Sequence, residues 1–314
     1  MELVERSRTR EQSRARYPDE EGYVERDGVR VFYEMYGHGP RTVLLLPTWS
    51  IIHSRQWKGQ IPYLARHFRV ITFDGRGNGR SDRPSAPAEY DEREFAADAL
   101  AVLDATATER AAIVGYSLGA QRGLILATDH PERVEGAVFV GPSYPGGGKP
   151  LDERTRFTWE DELETDEGWA KYNKHFWLRD YRGFVEFFFS RLFREAHSTK
   201  QIEDCVGWAL ETTPEMLVAA QYAQLLAPEE ARELAERLRC PLLVVHGRSD
   251  QIAHYTRGEA LAKHGGGDSH RSRSTNSCTS RLNMTGSRAC GACPPPSTRT
   301  NSPPPCSASA SPRV

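Results

Sequence analysis

From Gly22 to about Lys263, short runs rich in Val, Ile and Leu alternate with amphipathic stretches, and this alternation sets the expected fold. The runs 29–36, 42–46, 69–73, 111–115, 134–140 and 242–246 have the length and β-branched content of strands. The later ones are almost continuously apolar, as strands covered on both faces are. Between them, 95–105, 118–130 and 229–238 carry apolar residues at helical spacing, and Pro84 and Pro131 punctuate the connections. Strand and helix in turn imply an α/β fold with a mostly parallel sheet flanked by helices.

Three segments depart from this rhythm and divide the chain. Residues 1–22 are charged and aperiodic, which predicts a flexible N-terminal arm ahead of a domain at 23–264. Residues 143–228 open on three successive glycines and then become aromatic-rich, with Trp169, Tyr172, Phe176, Trp177, Phe184 and Phe188 at helical spacing. One reading is ordinary helical core; the other is an inserted helical cap whose aromatics line an apolar pocket. The two are compatible, because cap helices must bury one face. Residues 265–314 are dominated by Ser, Pro, Arg, Thr and Cys, with Leu282, Met284 and Val314 as the large aliphatic residues. Such a segment buries too little apolar surface to offset its conformational entropy, so a disordered low-complexity tail is expected.

Charge narrows the function classes. Lys plus Arg number 41 against 43 Asp plus Glu, a net charge of −2, so nothing favours nucleic acid or an acidic membrane surface. No apolar run is long enough to span a bilayer. Residues 1–16 lack the apolar core of a secretory signal, and a cytoplasmic location is the expectation. Of six cysteines, only Cys205 and Cys240 lie in globular sequence. Cys290-Gly291-Ala292-Cys293 is half of a zinc site that no second pair completes, so no metal and no cofactor are expected.

The chemistry centres on Val114-Gly115-Tyr116-Ser117-Leu118-Gly119, which closes one apolar run and opens a helical one. A strand, a sharp turn carrying an exposed serine, and a helix make a nucleophile elbow. Gly115 and Gly119 stand where a side chain would collide with that turn. An earlier stretch, Phe73-Asp74-Gly75-Arg76-Gly77-Asn78-Gly79-Arg80-Ser81-Asp82, is similar to the D-x-R-G-x-G-x-S-D loop of α/β-hydrolase-fold proteins. With both motifs in order, residues 22–263 resemble an α/β-hydrolase-fold serine hydrolase of the esterase and lipase kind. The resemblance makes the Asp74 loop a structural turn, braced by Asp74 and Arg76.

The resemblance also implies site residues. Ser117 is the nucleophile, and the Leu118 amide supplies one donor of the oxyanion hole. Relatives carry H-G-x-P after the strand at 42–46, where this chain has Pro47-Thr48-Trp49-Ser50, so Trp49 falls where the second amide should donate. Asp250, in Gly247-Arg248-Ser249-Asp250, matches the carboxylate that orients the catalytic histidine. A serine at the elbow argues against dehalogenase and epoxide hydrolase chemistry, whose relatives use a carboxylate nucleophile. The implied substrate is a small apolar ester or related acyl compound.

The histidine is the gap. Relatives place it after one more strand, some 25 to 30 residues past the acid, and no residue here fits. His254 and His264 come too early, His53 reads as structural or pocket-lining, and His270 stands without an evident strand before it as the remaining candidate base. The final strand and closing helix are expected to be missing, leaving the 242–246 strand at an open edge. A change of reading frame at or after Lys263 explains the composition. Read with each codon's third base as the first of the next triplet, Cys278-Thr279 yields His or Tyr, 28 residues past Asp250. On this reading the chain is a hydrolase by descent, impaired as written, or an inactive hydrolase-like module that binds a ligand.

Overall fold

Eight strands form one sheet in the order β1-β2-β4-β3-β5-β6-β7-β8 in the structure, a computed structural model that describes residues 14–151, 153 and 156–272. β1 (Glu20–Arg26) and β2 (Val29–Tyr36) form a hairpin. Its Asp27-Gly28 turn has φ of 52° and 79°, the positive pair that a tight hairpin turn requires. β2 runs antiparallel to β4 (Arg69–Phe73), and every other pairing is parallel, through β3 (Thr42–Leu45), β5 (Ala111–Tyr116), β6 (Val134–Val140), β7 (Leu242–Gly247) and β8 (Asp268–Ser272).

Helices cross between the parallel strands: α1 (Ile61–Leu64), α2 (Glu92–Ala105), α3 (Gly119–Asp129), then, beyond the β6–β7 insertion, α8 (Pro228–Glu236) and α9 (Thr256–His264). The β3 pattern explains its unbroken apolar run. Leu44 joins the core packed under α2 and α3, whereas Val43 and Leu45 face the opposite layer with Trp57 and Ile61.

The insertion holds α4 (Lys174–Arg179), α5 (Tyr181–Leu192), α6 (Thr199–Ala209) and α7 (Pro214–Gln221). Three of these begin on side-chain caps: Asn173 accepts from the His175 and Phe176 amides, Asp180 from Gly183, and Thr213 from Met216. Their apolar faces bury Trp177, Phe184, Val185 and Phe189 in a second core. Ile51, Ile52, Tyr90 and Phe95 of the main domain belong to the same cluster, so the insertion is seated on the loops above the sheet.

Two expectations need correction. The arm was expected to run to residue 22, yet Glu20 already pairs with Met35 in β1, and the Arg14 guanidinium binds Glu34 at 2.5 Å. The last strand was expected to be missing, yet β8 pairs along β7 from Leu243 opposite Asp268 to Gly247 opposite Ser272. Asp-Ser-His-Arg-Ser has no β-branched residue, so propensity points away from a strand. Ladder hydrogen bonds need only backbone, and the open edge of β7 supplies the template. Residues 1–13 of the arm and 273–314 of the tail, with its Cys pair and the proposed frame change, lie outside the described residues.

Candidate active site

β5 ends at Tyr116, and the next residue reverses the chain. Ser117 has φ of 53°, a left-handed conformation that costs a non-glycine residue about 1–2 kcal/mol. Three backbone bonds hold it there: its amide donates to the Val140 carbonyl (3.1 Å), and its carbonyl accepts from Ser143 and Ala120 (both 3.1 Å). The second of those donors, Ala120, lies in the first turn of α3. The flanking glycines are required by contact. A Cβ on Gly115 would sit 2.4 Å from the Gly119 carbonyl oxygen, and one on Gly119 would sit 2.9 Å from that of Pro47.

Ser117 opens on a cavity of about 130 Å³. Leu118 and Trp49 flank it, and Tyr90, Phe95, Tyr172, Phe188 and Ile252 give it aromatic and apolar walls. The Trp49 indole packs edge-on against Phe188 at 5.3 Å and lies 5.6 Å from Trp177, so the same residue is part of the second core and of the cavity wall. The Leu118 carbonyl accepts from Gln121 (2.9 Å) and the Trp49 carbonyl from Ile52 (3.3 Å). Neither Leu118 N–H nor Trp49 N–H is engaged by another group among the described residues. Two uncommitted backbone donors beside a strained serine are what an oxyanion hole requires.

Asp250 follows β7 in a tight turn. Its Oδ1 accepts from the amides of Ile252 (2.7 Å) and Ala253 (2.9 Å), both of which line the cavity. Its Oδ2 lies 3.3 Å from His246 Nε2, which also meets the Ala253 carbonyl at 3.0 Å. Sheet hydrogen bonds step from Ser117 to Val140 and from Gly141 to Val245, so Ser117 and Asp250 follow the C-terminal ends of β5 and β7, the two strands that flank β6. Burial, with the Asp250 carboxylate close by, pushes the Tyr116 phenol well above its ordinary value.

Among the described residues no histidine lines the cavity. His53 is buried against Glu211 and Arg55, His254 faces Thr256 (2.8 Å), and His264 faces the Tyr144 hydroxyl (2.8 Å). His270 lies inside β8 opposite Val245, not beyond the strand's end where the resemblance places the base. The positions 25 to 30 residues past Asp250 fall outside the described residues.

Asp74 and Arg76 brace their loop. Asp74 accepts from the amides of Ser54 (3.0 Å) and Arg80 (2.8 Å), and Arg76 forks onto Asp98 at 2.7 and 2.8 Å. Sequence reasoning missed a second buried pair. Arg122 of α3 bonds Glu92 of α2 through two nitrogens, at 2.9 and 3.1 Å, and stacks 3.4 Å from the centre of the Phe95 ring. Burial raises the Glu92 carboxyl above its ordinary value, against the pull of Arg122. The signal available in the sequence was a lone arginine in the otherwise apolar face of 118–128.

The sequence profile of the alpha/beta hydrolase fold family matches residues 41–272, and the chain belongs to that family. RutD of Caulobacter segnis, named as a carbamate hydrolase, is 35% identical over 116 residues, covering 36% of this chain and 43% of that protein. The 3-oxoadipate enol-lactonase 2 of Acinetobacter baylyi is 24% identical over 237 residues, covering 75% of this chain and 82% of that protein. The matches thus span less than half of RutD and most of the lactonase. The solved structure of Est816, described as an N-acyl homoserine lactone degrading enzyme, superposes with a TM-score of 0.62 at 26% identity. It covers 80% of this chain and 92% of that one. The relatives are hydrolases of small molecules, and no helix among the described residues is long and apolar enough to cross a membrane.

Proposed function

We propose that the chain is a serine hydrolase by construction, cleaving carboxylic esters or related acyl compounds such as lactones and carbamates. The observation that carries this is Ser117 at φ 53°, opening on a cavity flanked by the unengaged amides of Leu118 and Trp49. Ser117 Oγ attacks the carbonyl carbon, the two amides receive the developing oxyanion, and Asp250 is the carboxylate of the acid position. A cavity of about 130 Å³ is close to the roughly 150 Å³ that holds one benzene, so it favours a short or single-ring acyl group. The lactonase and lactone-degrading relatives agree with that class.

The base is what the described residues lack. With no histidine on the cavity wall among the described residues, nothing there takes the Ser117 proton, and the machinery reads as impaired. Turnover of nitrophenyl esters of graded acyl length tests both halves. The expected result is slow hydrolysis, confined to short acyl chains and slowed further in Ser117→Ala. Oxyanion stabilisation and binding alone leave a residual of about 10³–10⁴ over water. Turnover on the order of 10 s⁻¹, the median for enzymes, would refute the impairment. A cavity without a base also suits a second reading, a hydrolase-like module that only binds its ligand; saturable binding with no Ser117-dependent hydrolysis would establish it.

A further inference from the structure

The loop that presents the Trp49 amide, Pro47-Thr48-Trp49-Ser50, follows directly on β3. The structure supplies a specific tether. Nη1 of Arg122 donates to two successive carbonyls of that loop, Pro47 (3.2 Å) and Thr48 (2.5 Å). The Thr48 carbonyl and the Trp49 N–H belong to one peptide unit. That unit is planar and trans, so its C=O and N–H point in opposite directions. A donor that captures the Thr48 oxygen on the α3 side therefore aims the Trp49 N–H away from α3.

We propose that Arg122, oriented by Glu92, is the positioning residue that locks the Thr48–Trp49 peptide in the donating orientation of the oxyanion hole. The proposal rests on the assignment of Ser117 and the two amides made above. Four of the five guanidinium N–H donors are committed, two to Glu92 and two to the loop. The fork leaves little freedom. Glu92 fixes the plane of the guanidinium through Nε and Nη2, and the Phe95 ring 3.4 Å away covers one face. Both charged residues are only 2% exposed, which is a dry setting for a single structural task. Arginine suits that task because its donors sit in a rigid fork; lysine offers one compact charge without it.

A peptide flip needs no change in the serine or the acid; because Glu92 and Arg122 also line the cavity, initial binding is read apart from bond formation. Truncating Arg122 alone would leave Glu92 buried and uncompensated, so the informative variant is Glu92→Leu with Arg122→Met, which removes the charge from both sides. Two readouts apply to it. The first is phosphonylation of Ser117 by a small fluorophosphonate, resolved into initial binding and bond formation. The second is a crystal structure of the variant, which shows the Thr48–Trp49 peptide directly.

The expected result is a folded variant whose bond-forming rate falls by about 10²-fold, the effect of losing one oxyanion donor, with initial binding within threefold. Its peptide should be rotated away from the wild-type orientation. An unchanged rate in a folded variant with an unchanged peptide overturns the proposal. If the wild type itself does not react, the serine-hydrolase reading has failed, and the crystal structure alone then decides: a rotated peptide upholds the Arg122 tether and an unrotated one refutes it. Should the double variant not fold, Arg122→Lys is measured in the same two ways. It should fall at least tenfold in rate and show the Pro47 or Thr48 carbonyl released; wild-type values for both would overturn the assignment.

Discussion

At Ser117 the chain accepts local strain to expose one hydroxyl, and glycine is what makes the geometry attainable. Gly115 is the more demanding of the two elbow glycines, since the atom its Cβ would meet at 2.4 Å is backbone and cannot swing away. Gly115→Ala should therefore reduce stability by more than about 2 kcal/mol, or prevent soluble expression, because backbone collisions belong to the severe class of substitutions. A denaturant midpoint equal to wild type would show that the turn is not packed as described. Ser117 was legible because its motif is local: six consecutive residues carry the strand end, the turn and the helix start. Asp250 was legible only through the resemblance, since an aspartate after a strand is common. Glu92 and Arg122 were not legible at all. Their meaning comes from the pairing of Glu92 with Arg122 and from the Arg122 contacts with Pro47 and Thr48, some 75 positions away in the chain, and no periodicity encodes such a pairing.

Elements fared differently according to where their signal lives. The six apolar strands were readable within a residue, because burial on both faces writes itself into Val, Ile and Leu. β1 and β8 were missed for the opposite reason. Glu20–Arg26 is half exposed along a hairpin, and Asp268–Ser272 is held by pairing to β7, which leaves no hydrophobic trace. The insertion announced its helices by aromatic spacing but not its anchorage. One anchor is Glu211, after α6, which meets Arg55 at 2.7 Å and His53 at 3.3 Å. Burial would raise the Glu211 carboxyl, yet the hydrogen bonds and charge of His53 and Arg55 hold it below its ordinary value. A depressed carboxyl stabilises the fold above its unfolded pKa of about 4.3, and that stabilisation is lost as pH falls through the folded value. Stability of the wild type should therefore drop between pH 5 and pH 3 more steeply than that of Glu211→Gln. Because the carboxylate is 38% exposed, the difference should stay within about 1 kcal/mol. Parallel urea midpoints across that range would remove Glu211 from the anchorage.

For the molecule as a whole, fold and site carry different weights. The family is settled by 232 matched residues, and the sheet topology places the elbow at the C-terminal end of a central parallel strand. The catalytic cycle is not implied by that scaffold, because acyl transfer needs a base as well as a nucleophile and an oxyanion hole. The described residues provide a strained serine, two free amides and a carboxylate, all converging near one small cavity. They provide no histidine there. On the proposed reading, Ser117 and the Leu118 and Trp49 amides form the electrophile-binding half, and the described residues lack the proton-transfer half.

Intact-mass and peptide-level mass spectrometry after incubation with a small fluorophosphonate tests this most directly. The expected result is a single adduct, located on Ser117, formed slowly and absent from Ser117→Ala. No adduct on folded protein, or an adduct that persists in Ser117→Ala, would contradict it.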